Sequence, residues 1–485
     1  MVTYDLLIVG GGINGCAIAR EAALNGLKVL LVEKDDLASH TSAASTKLIH
    51  GGLRYLEQYE FRLVREALKE RELLLKAAPH IITPLTFVLP HENAVRPWWM
   101  VRAGLWLYDL LGGKSSLLRS RGLRAADVPY SAPLKGGARG FVYSDAWVDD
   151  ARLTMLNAMD AAANGAEIAT RTELLSARRE AGGWRATLSD GREVSARGIV
   201  NAAGPWVAQL LGRLGVNAAS GVRLVKGSHI IVPRLYEGAH AYILQLADRR
   251  IVFAIPYRDR FTLIGTTDVS VERPEDAVIS DGEIAYLCDA ANAHFVSQIA
   301  PGDVVSTYSG VRPLYDDGTG AASEVTRDYV LELDEQDAPL LSVFGGKITT
   351  ARHLAEEAVA KLAGPLGFDF APRTRARAFP GGMIPALGDF IDQVAARWPF
   401  LGAARADRMA RAYGSLLVEM LEGVEDAAGL GAELGGGLTE LELRWMRDRE
   451  WARTAEDALW RRSKLGLEAD AGMVERVEAG LASAN

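Results

Sequence analysis

The stretch Tyr4-Asp-Leu-Leu-Ile-Val-Gly10-Gly-Gly12-Ile-Asn-Gly15 constrains this chain more than any other. An apolar run of strand length ends in Gly-x-Gly-x-x-Gly, and a helical pattern over residues 16–25 follows at once and closes at Gly26. A second strand, residues 28–32, stops at Glu33. Each part has a physical task in a βαβ unit built for a dinucleotide. Gly10 permits the tight turn, Gly12 lets the backbone approach a pyrophosphate, and Gly15 lets helix and strand pack closely. The helix N-terminus offers free N–H groups and partial positive charge to phosphates. Glu33, at the tip of the second strand, suits two ribose hydroxyls. Alone, the glycine pattern could be a simple turn; with both strands, the helix and the acid in register it reads as a nucleotide site.

The residues behind Glu33 indicate which dinucleotide. Lys34-Asp-Asp-Leu-Ala-Ser39-His-Thr41-Ser42-Ala-Ala-Ser45-Thr46-Lys47-Leu-Ile-His50-Gly51-Gly52-Leu53-Arg54-Tyr55 is rich in hydroxyls and runs into paired glycines. NAD needs no long polar loop there. A flavin must be gripped along its ribityl chain and ring edge, which Ser, Thr and Gly do through side-chain and backbone hydrogen bonds; the competing reading is a solvated surface loop. A late turn, Gly345-Gly346-Lys347-Ile-Thr349-Thr350, would set a helix N-terminus and a lysine against the flavin pyrimidine edge, where both stabilise negative charge on the reduced ring. In series, the three motifs point to FAD.

The 485 residues leave room for two or three domains. To about Leu75 the texture alternates strand and helix. Residues 223–343 are β-rich, with strands expected at 223–233, 242–246, 251–256, 261–266 and 329–333. Beyond Pro380 the pattern is nearly all helical, broken by glycines at 435–437. Residues 197–204 and 340–344 return to the α/β texture. The expected architecture is a discontinuous α/β Rossmann-type cofactor domain (1–75, 140–222, 340–370), a β-rich substrate-binding domain (76–139, 223–339) and an all-helical C-terminal domain (371–485).

A formal charge of −8 argues against nucleic-acid binding, yet a few arginines can still build a local anion pocket. The two cysteines, Cys16 and Cys288, lack metal-ligand or CxxC spacing, so neither a zinc site nor a disulfide framework is expected. No basic leader precedes the first strand, and no run of about 18 apolar residues occurs. The cytoplasm, or the cytoplasmic face of a membrane, is the expected compartment.

Taken together, these residues resemble the FAD-dependent glycerol-3-phosphate dehydrogenase family of the bacterial respiratory type. The segments that carry the likeness are Ser45-Thr-Lys-Leu-Ile-His-Gly-Gly-Leu-Arg-Tyr-Leu-Glu57, Arg96-Pro-Trp-Trp-Met with Tyr108-Asp-Leu-Leu-Gly112, Asn201-Ala-Ala-Gly-Pro-Trp206 and Val225-Lys-Gly-Ser-His229. Ile264-Gly-Thr-Thr-Asp268, Ser309-Gly-Val-Arg-Pro313, Thr326-Arg-Asp-Tyr329, Phe344-Gly-Gly-Lys-Ile-Thr-Thr350 and the C-terminal stretch from Glu450 to Lys464 follow in order. The resemblance implies a D-amino-acid-oxidase-like flavoprotein fold with non-covalent FAD. It assigns the cofactor to Gly10, Gly12, Ile13, Asn14, Gly15, Glu33, Ser42, Ser45, Lys47, Gly51, Gly52, Ala203, Gly204, Gly346 and Thr349, with the Leu174 backbone near the adenine. It lines the substrate pocket with Arg54, Tyr55, His229, Arg312, Arg327 and Lys347. The implied reaction takes sn-glycerol 3-phosphate to glycerone phosphate, with electrons passed to a membrane quinone.

Those residue types fit that chemistry. A phosphate dianion calls for guanidinium forks, and Arg54 and Arg312 each follow a glycine by two positions. Removing hydride from a secondary alcohol needs a base for the hydroxyl proton. His229 is the candidate base, with Arg312 and Lys347 as its catalytic company; a core histidine and surface pairing of Arg54 with Glu57 are the bland alternatives. No EF-hand loop occurs and no metal is expected. The resemblance also implies a peripheral protein on the cytoplasmic face of the inner membrane. Residues 96–111, with three tryptophans and a tyrosine, fit either an interfacial helix or a buried one. A homodimer is compatible with the sequence, which does not specify an oligomeric state. Two rival functions stay open: an amine or amino-acid oxidase on the same fold, and a non-catalytic FAD-binding module.

Overall fold

The computed structural model describes residues 2–92, 96–137, 139–216, 221–248, 250–316 and 328–482. The first strand, β1 (Val2–Val9), lies inside a sheet and shows why its sequence is apolar at consecutive positions. Leu6 and Ile8 enter one core, while Leu7 between them enters another on the opposite face. The following helix, α1 (Ile13–Leu24), crosses over to β2 (Val29–Val32), which repeats the division: Val29 and Leu31 to one face, Leu30 and Val32 to the other. Successive side chains of a strand alternate faces, so a strand covered on both sides must be apolar throughout.

In this first sheet the order is 330–334, 340–344, 193–201, β1, β2, 167–169. The strands from Leu340–Phe344 to Glu167–Ala169 run parallel, while Val330–Asp334 is antiparallel to its neighbour. One face carries α1 and the helices Asp150–Ala163 and Ala351–Leu366; the other is closed by the hairpin of strands Leu174–Glu180 and Gly183–Leu188 and by the helix Val207–Arg213.

The second sheet has the order 269–271, 221–233, 261–265, 251–257, 241–245, 82–90, 140–148, 48–49, with Ser306–Asp316 alongside Gly221–Pro233. Its pairings are antiparallel except where Ala241–Gln245 meets Ile82–Pro90. Helices Phe61–Ala77 and Trp98–Gly112 cover one face and Asp281–Asn292 the other. The helices beyond residue 386 enclose a core of their own, centred on Met409, Tyr413, Leu417 and Met446.

Three expectations shift. Gly140–Val148, expected with the cofactor domain, pairs along its whole length with Ile82–Pro90 in the second sheet. Val330–Asp334, expected in the β-rich domain, pairs with Leu340–Phe344 in the first. Leu48–Ile49 also joins the second sheet, through residues 146–147. Alternating or continuous apolarity marks a strand but does not name its neighbours, whether distant in sequence, as for Gly140–Val148, or next along the chain, as for Val330–Asp334. In the C-terminal region the helix Glu440–Glu450 ends at Trp451, which adopts φ 56, and one wide helical turn, Asp457–Arg462, follows.

Helix Trp98–Gly112 has two unlike faces. Val101, Leu105 and Tyr108 are buried against the sheet. Trp99, Trp106 and Leu110 face outward at 67%, 60% and 60% exposure, with Met100 beside them. Among the described residues, no helix is long and apolar enough to cross a membrane.

Candidate active site

A cleft enclosing about 1060 Å³, mouth included, opens where β1, α1 and β2 meet. Gly10, Gly12, Ile13, Asn14, Glu33, Ser42, Leu174, Ala203, Gly204 and Gly346 all line it. Gly10 adopts φ +116, and a Cβ there would lie 2.4 Å from the carbonyl oxygen of Ala202. At Gly15 a Cβ would come 1.9 Å from the Gly10 oxygen, so the helix can approach the strand only without it. Glu33 is buried, with its carboxylate accepting from the N–H of Gly11 at 2.6 Å and of Asp35 at 2.9 Å. Burial holds this carboxyl above the usual range. Ser42 accepts from the Ile13 N–H at 2.9 Å, tying the hydroxyl-rich loop to the first turn of α1.

At the far end of the cleft, Asn14 donates to the Gly345 carbonyl at 3.1 Å. The other amide atom of Asn14, Oδ1, and the ammonium of Lys347 are both buried with no protein partner. Buried polar groups are rarely left so. A polar ligand edge bridging the first and the last of the glycine turns would satisfy them. The helix Ala351–Leu366 starts beside the same turn.

Residues of the 45–52 loop take a different position. Ser45 donates from N and Oγ to Asp150, and Lys47 donates to Asp150 at 2.8 Å and to the Ala43 carbonyl at 3.1 Å. Their side chains thus brace the loop from behind, 2% exposed in the case of Lys47. Gly51 donates to the Tyr108 hydroxyl at 2.7 Å, and that hydroxyl donates to Asp145, which Arg71 pairs at 2.6 Å. Burial lifts Asp145 to about 6, with Arg71 opposing. Sequence reasoning missed Asp150, Tyr108, Asp145 and Arg71; a buried acid is recognisable only once its partners are placed. Gly52 adopts φ 73, where the Tyr55 ring closes over it. Thr349 is buried, its hydroxyl accepting from the His50 N–H at 3.4 Å.

Two cationic groups emerge among the substrate candidates. Lys347 stands 4.1 Å from the Tyr55 ring centre, close enough to His50 to help depress that imidazole, which burial takes to about 4. Arg54 is half-buried and forms no ion pair among the described residues, because Glu57 is taken by Arg96. Arg312 pairs with Asp268 at 2.9 Å and leans over Gly227, whose missing side chain leaves it room. His229 is 2% exposed, stacked on Tyr308 at 4.8 Å, with Nε2 3.0 Å from the Thr46 hydroxyl. Its Nδ1 has no hydrogen-bond partner among the described residues, and burial, with Lys47 and Arg312 nearby, lowers its pKa to about 3. Arg327 lies outside the described residues.

Residues 5–352 match a family model described as FAD dependent oxidoreductase. The chain is 54% identical over 475 residues to glycerol-3-phosphate dehydrogenase of Pseudomonas aeruginosa, covering 96% of this chain and 92% of that one. It is 50% identical over 477 residues to D-erythritol 1-phosphate dehydrogenase of Brucella abortus, covering 95% and 94%. The fold superposes on glycerol-3-phosphate dehydrogenase from Bacillus halodurans, solved with FAD, at a TM-score of 0.77 and 27% identity, over 99% of this chain and 91% of that chain. The class is thereby fixed: an FAD-dependent oxidoreductase, whose glycine cradle, ribose acid and orphaned Asn14 and Lys347 atoms all fit that cofactor. Within that class, the chain belongs to the glycerol-3-phosphate dehydrogenase family.

Proposed function

We propose that this enzyme oxidises sn-glycerol 3-phosphate to glycerone phosphate and passes the electrons to a membrane quinone. The carrying observation is the pair of unspent cations beyond the Gly51–Gly52 turn. Arg54 has no ion pair, and Lys347 has no hydrogen-bond partner, among the described residues. Keeping positive charge half-buried and uncompensated is costly, and an anionic substrate removes that cost. Arg54 and Arg312 hold the phosphate, and Tyr55 and Lys347 border the polyol. FAD held in the glycine cradle would supply the hydride acceptor. His229 takes the hydroxyl proton; being neutral above pH of about 3, it is available as an acceptor at working pH. The Thr46 hydroxyl fixes its ring. Gly10, Gly12, Ile13, Asn14, Gly15, Glu33, Ser42, Leu174, Ala203, Gly204, Gly346 and Thr349 hold the cofactor, while Ser45, Lys47, Gly51 and Gly52 shape the loop over it.

An amine oxidase would use one arginine for a carboxylate and little further charge, so the cation cluster favours a phosphate ester. The relative named D-erythritol 1-phosphate dehydrogenase, nearly as similar as the first, supports a second reading in which the polyol is longer. Anaerobic titration decides. Glycerol 3-phosphate should bleach the flavin at lower concentration than D-erythritol 1-phosphate, and glycine should not bleach it. The reverse order between the two phosphates would assign the longer polyol, and bleaching by glycine would overturn both.

The exposed row Trp99, Met100, Trp106 and Leu110 supports attachment to the cytoplasmic leaflet of the inner membrane without crossing it. Aromatic and aliphatic side chains on one face of a helix suit the lipid interface, where a quinone would be met.

A further inference from the structure

Among the described residues, the stretch 450–464 supplies no wall of the nucleotide cleft. Its charged side chains are nonetheless spent on the two backbone segments that hold Glu33. Within it, Asp457–Arg462 forms a single wide helical turn, a form that recurs at functional sites.

The first segment is the loop 34–38, which lies directly on the glycine turn. The Ala38 N–H donates to the Gly11 carbonyl at 3.1 Å, and a Cβ on Gly11 would meet Leu37 at 2.7 Å. Between them the Asp36 carboxylate is taken by Arg461 at 2.6 Å and by the guanidinium fork of Arg462, all three residues being buried. The second segment follows the strand Glu167–Ala169. There the Thr172 N–H donates to the Glu33 carbonyl at 2.7 Å and the Arg171 N–H to the Asp35 carbonyl at 2.8 Å. The Arg171 side chain pairs with Asp457 at 2.7 Å, and Asp457 pairs in turn with Arg461. These ion pairs close a ring, Asp36–Arg461–Asp457–Arg171, whose ends meet at the backbone of Asp35 and Asp36. Asp35 is one of the two residues whose N–H groups hold the Glu33 carboxylate.

We propose that Arg461 is a positioning residue for FAD. By linking Asp36 to Asp457 it fixes the Asp35 N–H that orients Glu33, and so sets how tightly the adenosine half of the cofactor is held. The inference rests on the reading that Glu33 takes the ribose hydroxyls. Well-packed apolar side chains can fill a buried joint without loss of stability. Forked, charge-assisted hydrogen bonds instead specify one geometry. A carboxylate that must meet two hydroxyls depends on such precision, because a displacement of about 1 Å forfeits the bonds.

The FAD dissociation constant, measured by dialysing the holoenzyme against graded FAD, tests this. Arg461→Met opens the ring while Asp36 keeps Arg462 and Asp457 keeps Arg171. It should raise the constant about tenfold, the scale of one charge-assisted hydrogen bond. Glu33→Gln should raise it at least as much. The double variant should bind FAD no more than about twofold more weakly than Glu33→Gln alone, since both changes act through one carboxylate. A merely structural effect would multiply with that of Glu33→Gln and would overturn the proposal. So would a constant unmoved by Arg461→Met, or by Asp36→Asn should the former not fold. If Glu33→Gln itself leaves the constant unmoved, the ribose is held elsewhere and the proposal falls with that reading.

Discussion

Lys347 carries one of the buried polar atoms left without a partner by this fold, and its removal should separate binding from chemistry. Lys347→Met keeps the length and deletes the charge. Flavin reduction by substrate should slow about 100-fold, the usual loss when one preorganised electrostatic donor is removed, while FAD stays bound; stopped-flow absorbance reads both. Arg54→Ala should instead raise the half-saturating glycerol 3-phosphate concentration about ten- to hundredfold, the value of a charge-assisted phosphate contact. Unchanged saturation would relocate the phosphate. Gly10→Ala places a methyl against the Ala202 carbonyl, so the purified variant should be colourless. These roles were legible to unequal degrees. Gly10, Gly12 and Glu33 follow from a local pattern with a steric reason at each position. His229 and Arg54 could be singled out by type, but only the folded chain shows that Glu57 is engaged by Arg96 and leaves Arg54 unpaired.

At the scale of elements, the helical C-terminal region is fastened by buried ion pairs. Arg152 on the helix Asp150–Ala163 forms a bidentate pair with Glu450, at 2.8 and 3.0 Å, both essentially unexposed. Glu450→Ala strands the guanidinium and should cost about 3–5 kcal/mol, whereas Arg152→Met/Glu450→Leu should recover most of that loss. Urea midpoints of the two variants check it. The helix Trp98–Gly112 plays a similar connecting part through Tyr108, whose hydroxyl joins Gly51 to Asp145. Helix and strand periodicities marked most of these elements in advance. Sheet membership stayed hidden for Gly140–Val148, whose hydrogen-bond partners distant in sequence leave no local trace, and for Val330–Asp334, whose hairpin with Leu340–Phe344 straddles the expected domain boundary. The two-sided character of Trp98–Gly112 stayed open for a related reason: tryptophans serve a core and a lipid interface equally well.

For the molecule as a whole, acid should be more damaging than composition suggests. His50, His80 and His229 are held neutral by burial, at about 4, 3 and 3 against an ordinary 6.5. The unfolded chain takes up those protons first, so stability is undiminished by them above 6.5 and falls as pH drops from there toward 4. Melting temperatures followed across that window should show the decline, and His80→Phe should make it shallower. The proposed attachment to lipid is tested at this scale too. Trp99→Ser/Trp106→Ser should reduce co-sedimentation with anionic vesicles several-fold while soluble-dye turnover is retained; unchanged sedimentation would assign that face another partner. Composition changes along the sequence suggested three units, but not where the joints between them fall.

One of those joints bears on how the chain is made. Asp36, three residues past Glu33, is gripped by Arg461 and Arg462, and the strand Leu340–Phe344 is interior to the first sheet. The glycine turn at residues 10–15 thus leaves the ribosome hundreds of residues before the arginines that grip Asp36, and its surroundings cannot close until those arginines have been made. A truncation after Glu450 should emerge with little yellow colour, even though every glycine of the cradle is already present.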